Sequence, residues 1–405
     1  MIPTRYFTTL LLSLVLLSPL GIDLFLPTLP QIAEGLQTPV NNIQLTIPLF
    51  LLVMGIGQLI SGPLVDNYGR KPIALLGLVL YLLGSASAAL AINWPLFLMA
   101  RIIQGMAVCC TAVVAFSGVR DRLEGDDAAR AYSFLNGSLN IAPALAPLLG
   151  GMLAHSWGWR APFWFLFIYA LVLMIVIYRW LPETRPATTQ RSAIFPVRTY
   201  VTIIKQPAFL AFTLAIASAL GMVLTYVSLA PIVLMEQARL TPFIFSIIFG
   251  VNGLWIMVAS AVANRIIQKC GRPFCLMLGA LSMLGAGGII LIEPYLLAPA
   301  ILAHWLSYMF PVAVAVAGLA FIMGPATSYA LAPFQQNAGV ASALLGFIQM
   351  AGGAGASLII LLLPLAPFTA LGGMMLLGGM LAGLAWLTSL KIKGVLTSLR
   401  STRSE

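Results

Sequence analysis

Along the chain, apolar stretches of roughly 20 residues, the length a bilayer-crossing helix needs, alternate with short polar interruptions. The pattern predicts helices over 7–29, 43–65, 72–91, 96–118, 129–153, 161–181, 208–231, 243–264, 273–292, 300–330, 338–363 and 367–390. The first outruns the roughly 7–15-residue core of a secretory leader and has no clear cleavage site, so it counts as a helix. The tenth is overlong. Its Pro311, Gly318, Gly324 and Pro325 predict a kinked or broken helix whose freed backbone groups face protein or a cavity. The fold expected is an all-α polytopic membrane protein of twelve transmembrane helices.

Composition agrees: 60% of residues are hydrophobic and 8% charged, against about 25% charged in a soluble domain. The net charge of +10 does not imply nucleic acid, because the basic residues sit in short loops without interleaved aromatics. Cys109 and Cys110 fall inside a span and Cys270 and Cys275 flank a loop. None has zinc or disulfide-framework spacing, so all four read as apolar filler. No phosphate-binding loop, metal cluster or Ser-His-Asp set is present, and His155 and His304 fall near the periplasmic surface without an obvious partner. An enzyme is therefore not expected, nor a cofactor; the energy source would be the proton gradient.

Even span number puts both termini on one side. That side collects Arg5, then Arg70 and Lys71, then Arg120, Arg122 and Arg130, then Arg179, Arg185, Arg191, Arg198 and Lys205, then Arg265, Lys269 and Arg272, and finally Lys391, Lys393, Arg400 and Arg403. The opposite side holds Arg160 and Arg239, and Arg101 lies within a span. By the positive-inside rule the termini are cytoplasmic, in a bacterial inner membrane. The polar stretch around 183–207 reads as a cytoplasmic linker between an N-terminal bundle, 1–182, and a C-terminal bundle, 208–405. An offset of 202 residues lays Gly69-Arg70 onto Gly271-Arg272, a faint repeat suited to two pseudo-symmetric six-helix bundles. A monomer in the lipid bilayer is the expected state.

Three segments carry candidate chemistry. Between helices 2 and 3, Gly62, Asp66, Gly69, Arg70 and Lys71 offer close-packing glycines and a charge pair able to form or break as bundles rock. A loop that merely fixes topology is the plainer alternative. In helix 4, Arg101 stands among apolar neighbours at a cost of at least ~2.5–3.5 kcal/mol, and Asp23 is the one carboxylate well inside a predicted span. Counted inward from the same surface at about 1.5 Å per residue, the two share a level. They read either as a structural ion pair or as a proton-coupling pair, since burial and a nearby guanidinium act on a carboxylate in opposite senses. In helix 5, Pro143, Pro147, Gly150 and Gly151 soften the helix and offer a close-packing face.

The loop between helices 2 and 3 resembles the signature of the major facilitator superfamily, with Asn67 where many members carry a basic residue. The resemblance implies that Asp66 relies on Arg70 and on residues such as Arg120 and Arg122. Arg101, Gln104 and Gly105 are similar to the Arg-x-x-Gln-Gly element of the drug:proton antiporter branch, where the arginine is assigned to proton coupling. Asp23 to Pro27 resembles the Asp-x-Tyr-Leu-Pro stretch of its bicyclomycin/chloramphenicol-resistance subfamily, with Phe25 for Tyr. Pro143 to Gly151 resembles the exporters' Gly-Pro-x-x-Gly-Gly signature, with Ala146 for its first glycine. Ala330 to Phe334 and Gly339 to Gln349 are similar to helices 10 and 11 of that subfamily.

These resemblances imply a proton-driven exporter of small molecules, with a site near the midplane between the bundles. Candidate contacts are Gln104, Asn136, Asn140, Tyr226, Asn252, Trp255 and Gln349, with Tyr308 and Phe347 as further aromatic walls. Asn136 and Asn140 share one helical face, as either a cavity stripe or a set of interhelical bonds would require. No carboxylate is embedded in the predicted second bundle, which favours a neutral or weakly charged substrate. Uptake of a metabolite by symport, and a non-transporting receptor, are the alternatives.

Overall fold

The computed structural model describes residues 4–123, 125–185, 197–302, 304–334 and 338–401. Among these, eleven helices are long and apolar enough to cross a membrane. They are span 1 (Thr4–Gly35), span 2 (Val40–Tyr68), span 3 (Arg70–Ala89), span 4 (Trp94–Arg122), span 6 (Ala161–Trp180), span 7 (Pro207–Gln237), span 8 (Pro242–Cys270), span 9 (Arg272–Leu296), span 10 (Trp305–Leu331), span 11 (Val340–Leu362) and span 12 (Pro367–Lys391). Span 5 is the 33-residue helix Gly125–Trp157 between the fourth and the sixth. Leucines and isoleucines stand exposed along the spans, Leu83, Ile168 and Leu281 among them. In water these would be an aggregation hazard; against lipid they cost nothing, and the chain is a multi-pass membrane protein.

Helix ends overrun the hydropathy windows because capping chemistry, not apolarity, sets them. Asn93 starts span 4 by accepting the Leu96 N–H at 3.0 Å, ahead of Pro95, whose missing N–H is harmless in the first turn. His304 caps span 10, its Nδ1 accepting the Leu306 N–H at 3.3 Å. Gly69 and Gly271, at φ 101° and 87°, end spans 2 and 8 and reverse the chain into spans 3 and 9.

Of the kink or break expected in span 10, no break forms: Trp305–Leu331 is one helix with Pro311 and Pro325 inside it, preceded by a separate turn, Pro299–Leu302. The interruptions lie elsewhere. Span 1 stops at Asp23, passes through a 3-10 turn at Leu26–Thr28 and resumes at Leu29. Spans 7 and 11 each widen into a π-helical turn, at Ile232–Gln237 and Ile348–Gly352. The polar linker also contains a short helix, Val197–Ile204.

The chain divides into two compact units: residues 1–196 with 230–254, and residues 197–229 with 255–405. In the first, spans 2, 3 and 4 pack closely and span 1 lies against spans 4 and 5. In the second, spans 9, 10 and 12 form the tightest group. There Gly279 and Gly318 face each other so closely that a Cβ on either would come to 3.0 Å from the other's carbonyl oxygen, the small-residue contact that lets helices pack where lipid removes the hydrophobic drive.

Candidate functional site: a broken first helix and a charged loop

The break in span 1 follows from its prolines. A proline supplies no N–H to the carbonyl four residues back, so Pro27 and Pro30 deny the carbonyls of Asp23 and Leu26 their α-helical donors, and Leu26 accepts instead from the Leu29 N–H in a 3-10 turn. Thr28 turns instead onto Phe25, its N–H and hydroxyl donating to that carbonyl at 2.9 and 2.7 Å. At this break Asp23 is 5% exposed, and among the described residues its carboxylate has no hydrogen bond or ion pair.

Arg101 is fully buried beside the same break. Its guanidinium donates to the Gly21 carbonyl at 2.8 Å and to Gln104 Oε1 at 2.5 Å, and lies 4.4 and 4.8 Å from the ring centres of Phe25 and Phe50. Gln104 passes the chain on, donating from Nε2 to Ser85 Oγ at 2.9 Å. The expected Asp23–Arg101 ion pair is therefore not formed in this conformation. Backbone and side-chain oxygens and two aromatic faces hold the cation instead, two residues away from the acid, and Arg101 Nε is left without a partner.

Span 5 closes over this break. A Cβ on Gly150 would collide with the Leu24 backbone, and one on Gly151 would lie 3.3 Å from Ser246 Oγ and 3.9 Å from Pro27. Ser246 donates to the Pro147 carbonyl at 3.0 Å. The proline-glycine segment thus seats directly on the residues flanking Asp23. The side chains of Pro143, Asn136 and Asn140 lie outside the described residues.

At the loop between spans 2 and 3, Arg70 is the hub. It is 2% exposed and donates to Asp66 at 3.0 Å, to Asp121 at 2.6 Å and to the Val65 carbonyl at 3.1 Å. Arg120 adds looser pairs with Asp66 at 3.8 Å and Asp121 at 3.5 Å. Arg122 instead stacks on Phe7 at 4.6 Å. The Glu183 carboxylate accepts the backbone N–H groups of Arg70 at 2.9 Å, Lys71 at 3.1 Å and Arg185 at 2.9 Å, so an anion caps the N-terminus of span 3. Its own partial burial works to raise the Glu183 pKa, but these backbone donors outweigh it and hold the carboxyl below its ordinary 4.5. Gly62 makes no close approach, since nothing lies within 4 Å of where its Cβ would be.

Asp121, an acid between two arginines at the end of span 4, joins this cluster although the loop motif alone does not point to it. Ser85 was likewise unread, having nothing but polarity to mark it. Of the remaining candidates, Gln104 is fully buried in the Arg101 chain, and Asn252 is 6% exposed with its amide oxygen unpartnered. Tyr226 is buried with its ring 6.2 Å from that of Tyr308, whose hydroxyl donates to the Tyr226 carbonyl at 3.4 Å. Trp255 is half exposed and donates to the Ala313 carbonyl at 2.8 Å. Gln349 lies in the π turn of span 11.

Span 9 also runs past its predicted end to Leu296, which brings Glu293 into the helix. The carboxylate lines an apolar groove of about 470 Å³ with Gly285, Gly288 and Ile292. Glu293 stands one turn before the end of span 9 and is only partly buried.

Twelve hydrophobic helices, interrupted by proline and π turns and carrying an isolated buried acid and cation, define a helical membrane transporter rather than an enzyme. The sequence pattern of the Major Facilitator Superfamily matches residues 11–357, and the chain belongs to that family. It is 33% identical over 360 residues to the chloramphenicol resistance protein of Pseudomonas aeruginosa, covering 88% of this chain and 84% of that one. It is 31% identical over 331 residues to the multidrug resistance protein MdtL of Citrobacter koseri, covering 82% of each. Among solved structures, a peptide transporter POT superposes with a TM-score of 0.73 at 15% identity, covering 94% of this chain and 97% of that one. The xylose transporter XylE from E. coli superposes at 0.71 and 16%, covering 96% and 99%. At those identities the likeness establishes the fold.

Proposed function

We propose that the chain exports neutral or weakly charged lipophilic compounds in exchange for protons, with Asp23 carrying the proton. The observation that supports this most is the isolation of Asp23: a buried carboxylate without a partner, at a helix break, two residues from the carbonyl that anchors Arg101. A buried acid left unpaired is costly to keep charged, and in membrane spans such groups mark ion pathways. Loading and unloading of a proton at Asp23 then changes what the break can accommodate.

Arg101 serves as the fixed positive neighbour, oriented by Gln104 and Ser85. The Pro147, Gly150 and Gly151 face transmits movement of span 5 to the break through direct backbone contact. Asp66, Gly69, Arg70 and Lys71, with Asp121, form a charged latch at the loop between spans 2 and 3. The bias of basic residues toward this loop's side supports a cytoplasmic position for it and for both termini. The names of the two relatives, chloramphenicol resistance and multidrug resistance, support export of drug-like molecules. Asn252, Trp255, Tyr226 and Gln349 remain candidate substrate contacts.

Everted membrane vesicles test the reading. Labelled chloramphenicol should accumulate when the lumen is acidified, and Asp23→Asn should abolish that driven component while the protein remains at wild-type level in the membrane. Full gradient-driven accumulation by Asp23→Asn would refute the role of Asp23. A rise rather than a fall in accumulation by intact expressing cells would overturn the direction.

A further inference from the structure

Span 4 carries two adjacent cysteines, Cys109 and Cys110, both free and buried. They face a notch on span 2. The Ser61 hydroxyl donates to Cys109 Sγ at 3.1 Å and lies 3.7 Å from Cys110 Sγ, so one oxygen touches both sulfurs. One turn earlier, a Cβ on Gly57 would come within 2.5 Å of Cys109 Sγ; the absence of that atom is what gives the sulfur its room. Cys109 in turn donates its S–H to the Met106 carbonyl at 2.8 Å. Met106 is half exposed, which places the notch within one helical turn of an open face of span 4.

Adjacent residues of a regular helix hold their Cα atoms about 3.8 Å apart, short of the roughly 4.4–6.8 Å that a disulfide spans. Oxidation to a bond between these two sulfurs would require the helix to distort, so the pair is held as a dithiol. Two thiols converging on one small polar point, in an apolar surround, suit a soft centre that binds sulfur in preference to oxygen.

We propose that Cys109 and Cys110 form a chelating site for neutral trivalent arsenicals. An arylarsenous acid, uncharged and able to dissolve in lipid, exchanges its two hydroxyl groups for the two sulfurs. Two As–O bonds break and two As–S bonds form, each thiol proton leaves with a hydroxyl as water, and arsenic stays trivalent throughout. The arsenic takes the position between the sulfurs that the Ser61 hydroxyl now bridges. This site does not depend on the transport direction or on Asp23.

Full-length protein in native membranes, with Cys270→Ser and Cys275→Ser to remove the other thiols, is treated with phenylarsine oxide, washed with excess monothiol and weighed intact. The expected result is one retained phenylarsenic per chain, released by a dithiol. Either Cys109→Ser or Cys110→Ser should cut retention after the monothiol wash by about 100-fold or more, the low end of what a second, intramolecular bond contributes. Should either variant fail to accumulate in the membrane, the fragment bearing the label in the parent decides, and it must contain residues 109 and 110. No retention by the parent, equal retention by the serine variants, or label on another fragment overturns the proposal.

Discussion

The loops after spans 2 and 8 share a backbone and differ in charge. Each turns on a glycine in a conformation with φ near 90–100° and ψ above 160°, Gly69 and Gly271, and each follows it with an arginine that starts the next helix. Arg70 is buried among Asp66, Asp121 and the Val65 carbonyl. Arg272 is exposed, donates to Ser328 Oγ at 2.7 Å and lies 4.5 Å over the Tyr329 ring, with no acid paired to it among the described residues. The 202-residue offset that aligns the glycines lays Asp66 onto Gln268. The repeat thus preserved the geometry of the turn, and among the described residues the ion pairs are concentrated in the loop after span 2, the loop proposed above as a charge-dependent latch.

The largest effect should come from removing that charge. Arg70→Ala leaves Asp121, 4% exposed, buried without its main counter-ion, and breaking a buried pair from one side costs about 3–5 kcal/mol. Arg272→Ala loses one hydrogen bond and one ring contact, each worth about 1 kcal/mol. Thermal unfolding of the two purified variants should show the first far less stable. Equal losses would mean that the burial of Arg70 carries no special weight.

Gly69→Ala and Gly271→Ala come next. The φ, ψ region of both glycines is essentially closed to other residues, at about 1–3 kcal/mol, so both variants should destabilise. Gly69→Ala should cost more, because a Cβ there would sit 2.5 Å from Glu183 Oε2 and dislodge the carboxylate from the span 3 N-terminus. At Gly271 the nearest atom would be Pro273 Cδ at 3.7 Å. An equal pair of melting temperatures would remove Glu183 from the comparison.

The twelve spans were legible because lipid demands about 20 apolar residues in a row, a signal that needs no tertiary knowledge. The place where a helix breaks was not. Pro311 and Pro325 drew attention to span 10, yet they stand far apart, and each removes a single hydrogen bond that neighbouring helices can absorb. Pro27 and Pro30 lie within one turn of each other and remove two bonds together, which opens span 1 beside Asp23. The environment of Arg101 was hidden for another reason. Its partners are a carbonyl and two ring faces, which any sequence offers in abundance, so the search for a compensating charge pointed to Asp23 alone. Gly69 and Gly271 were read correctly as equivalent because a backbone conformation reserved for glycine leaves its mark in the residue itself.

A smaller effect separates the loops by pH. Glu183 has its folded pKa held below the ordinary 4.5, so its stabilising contribution is fully present above that value and is lost as pH falls through the folded pKa. Wild type should therefore melt above Glu183→Gln at neutral pH by an amount that stays constant down to about pH 5 and then shrinks. Arg272→Ala, which touches no carboxylate, should show no such narrowing. A gap that persists unchanged into the acid range would mean that Glu183 acts by shape and not by charge.

The smallest effect is a gain. Gln268→Asp places a carboxylate four residues before Arg272, the spacing that Asp66 and Arg70 use. Both positions are exposed, so the new pair is worth only about 0.3–0.5 kcal/mol and should vanish at high salt. The acid also falls in the last turn of span 8, where the helix dipole disfavours a negative charge, which trims the gain further. If Gln268→Asp nevertheless stabilised by several kcal/mol, proximity alone would make the latch. The expected near-neutral result would instead locate its strength in the third party, Asp121, and in the burial that span 4 imposes on Arg70.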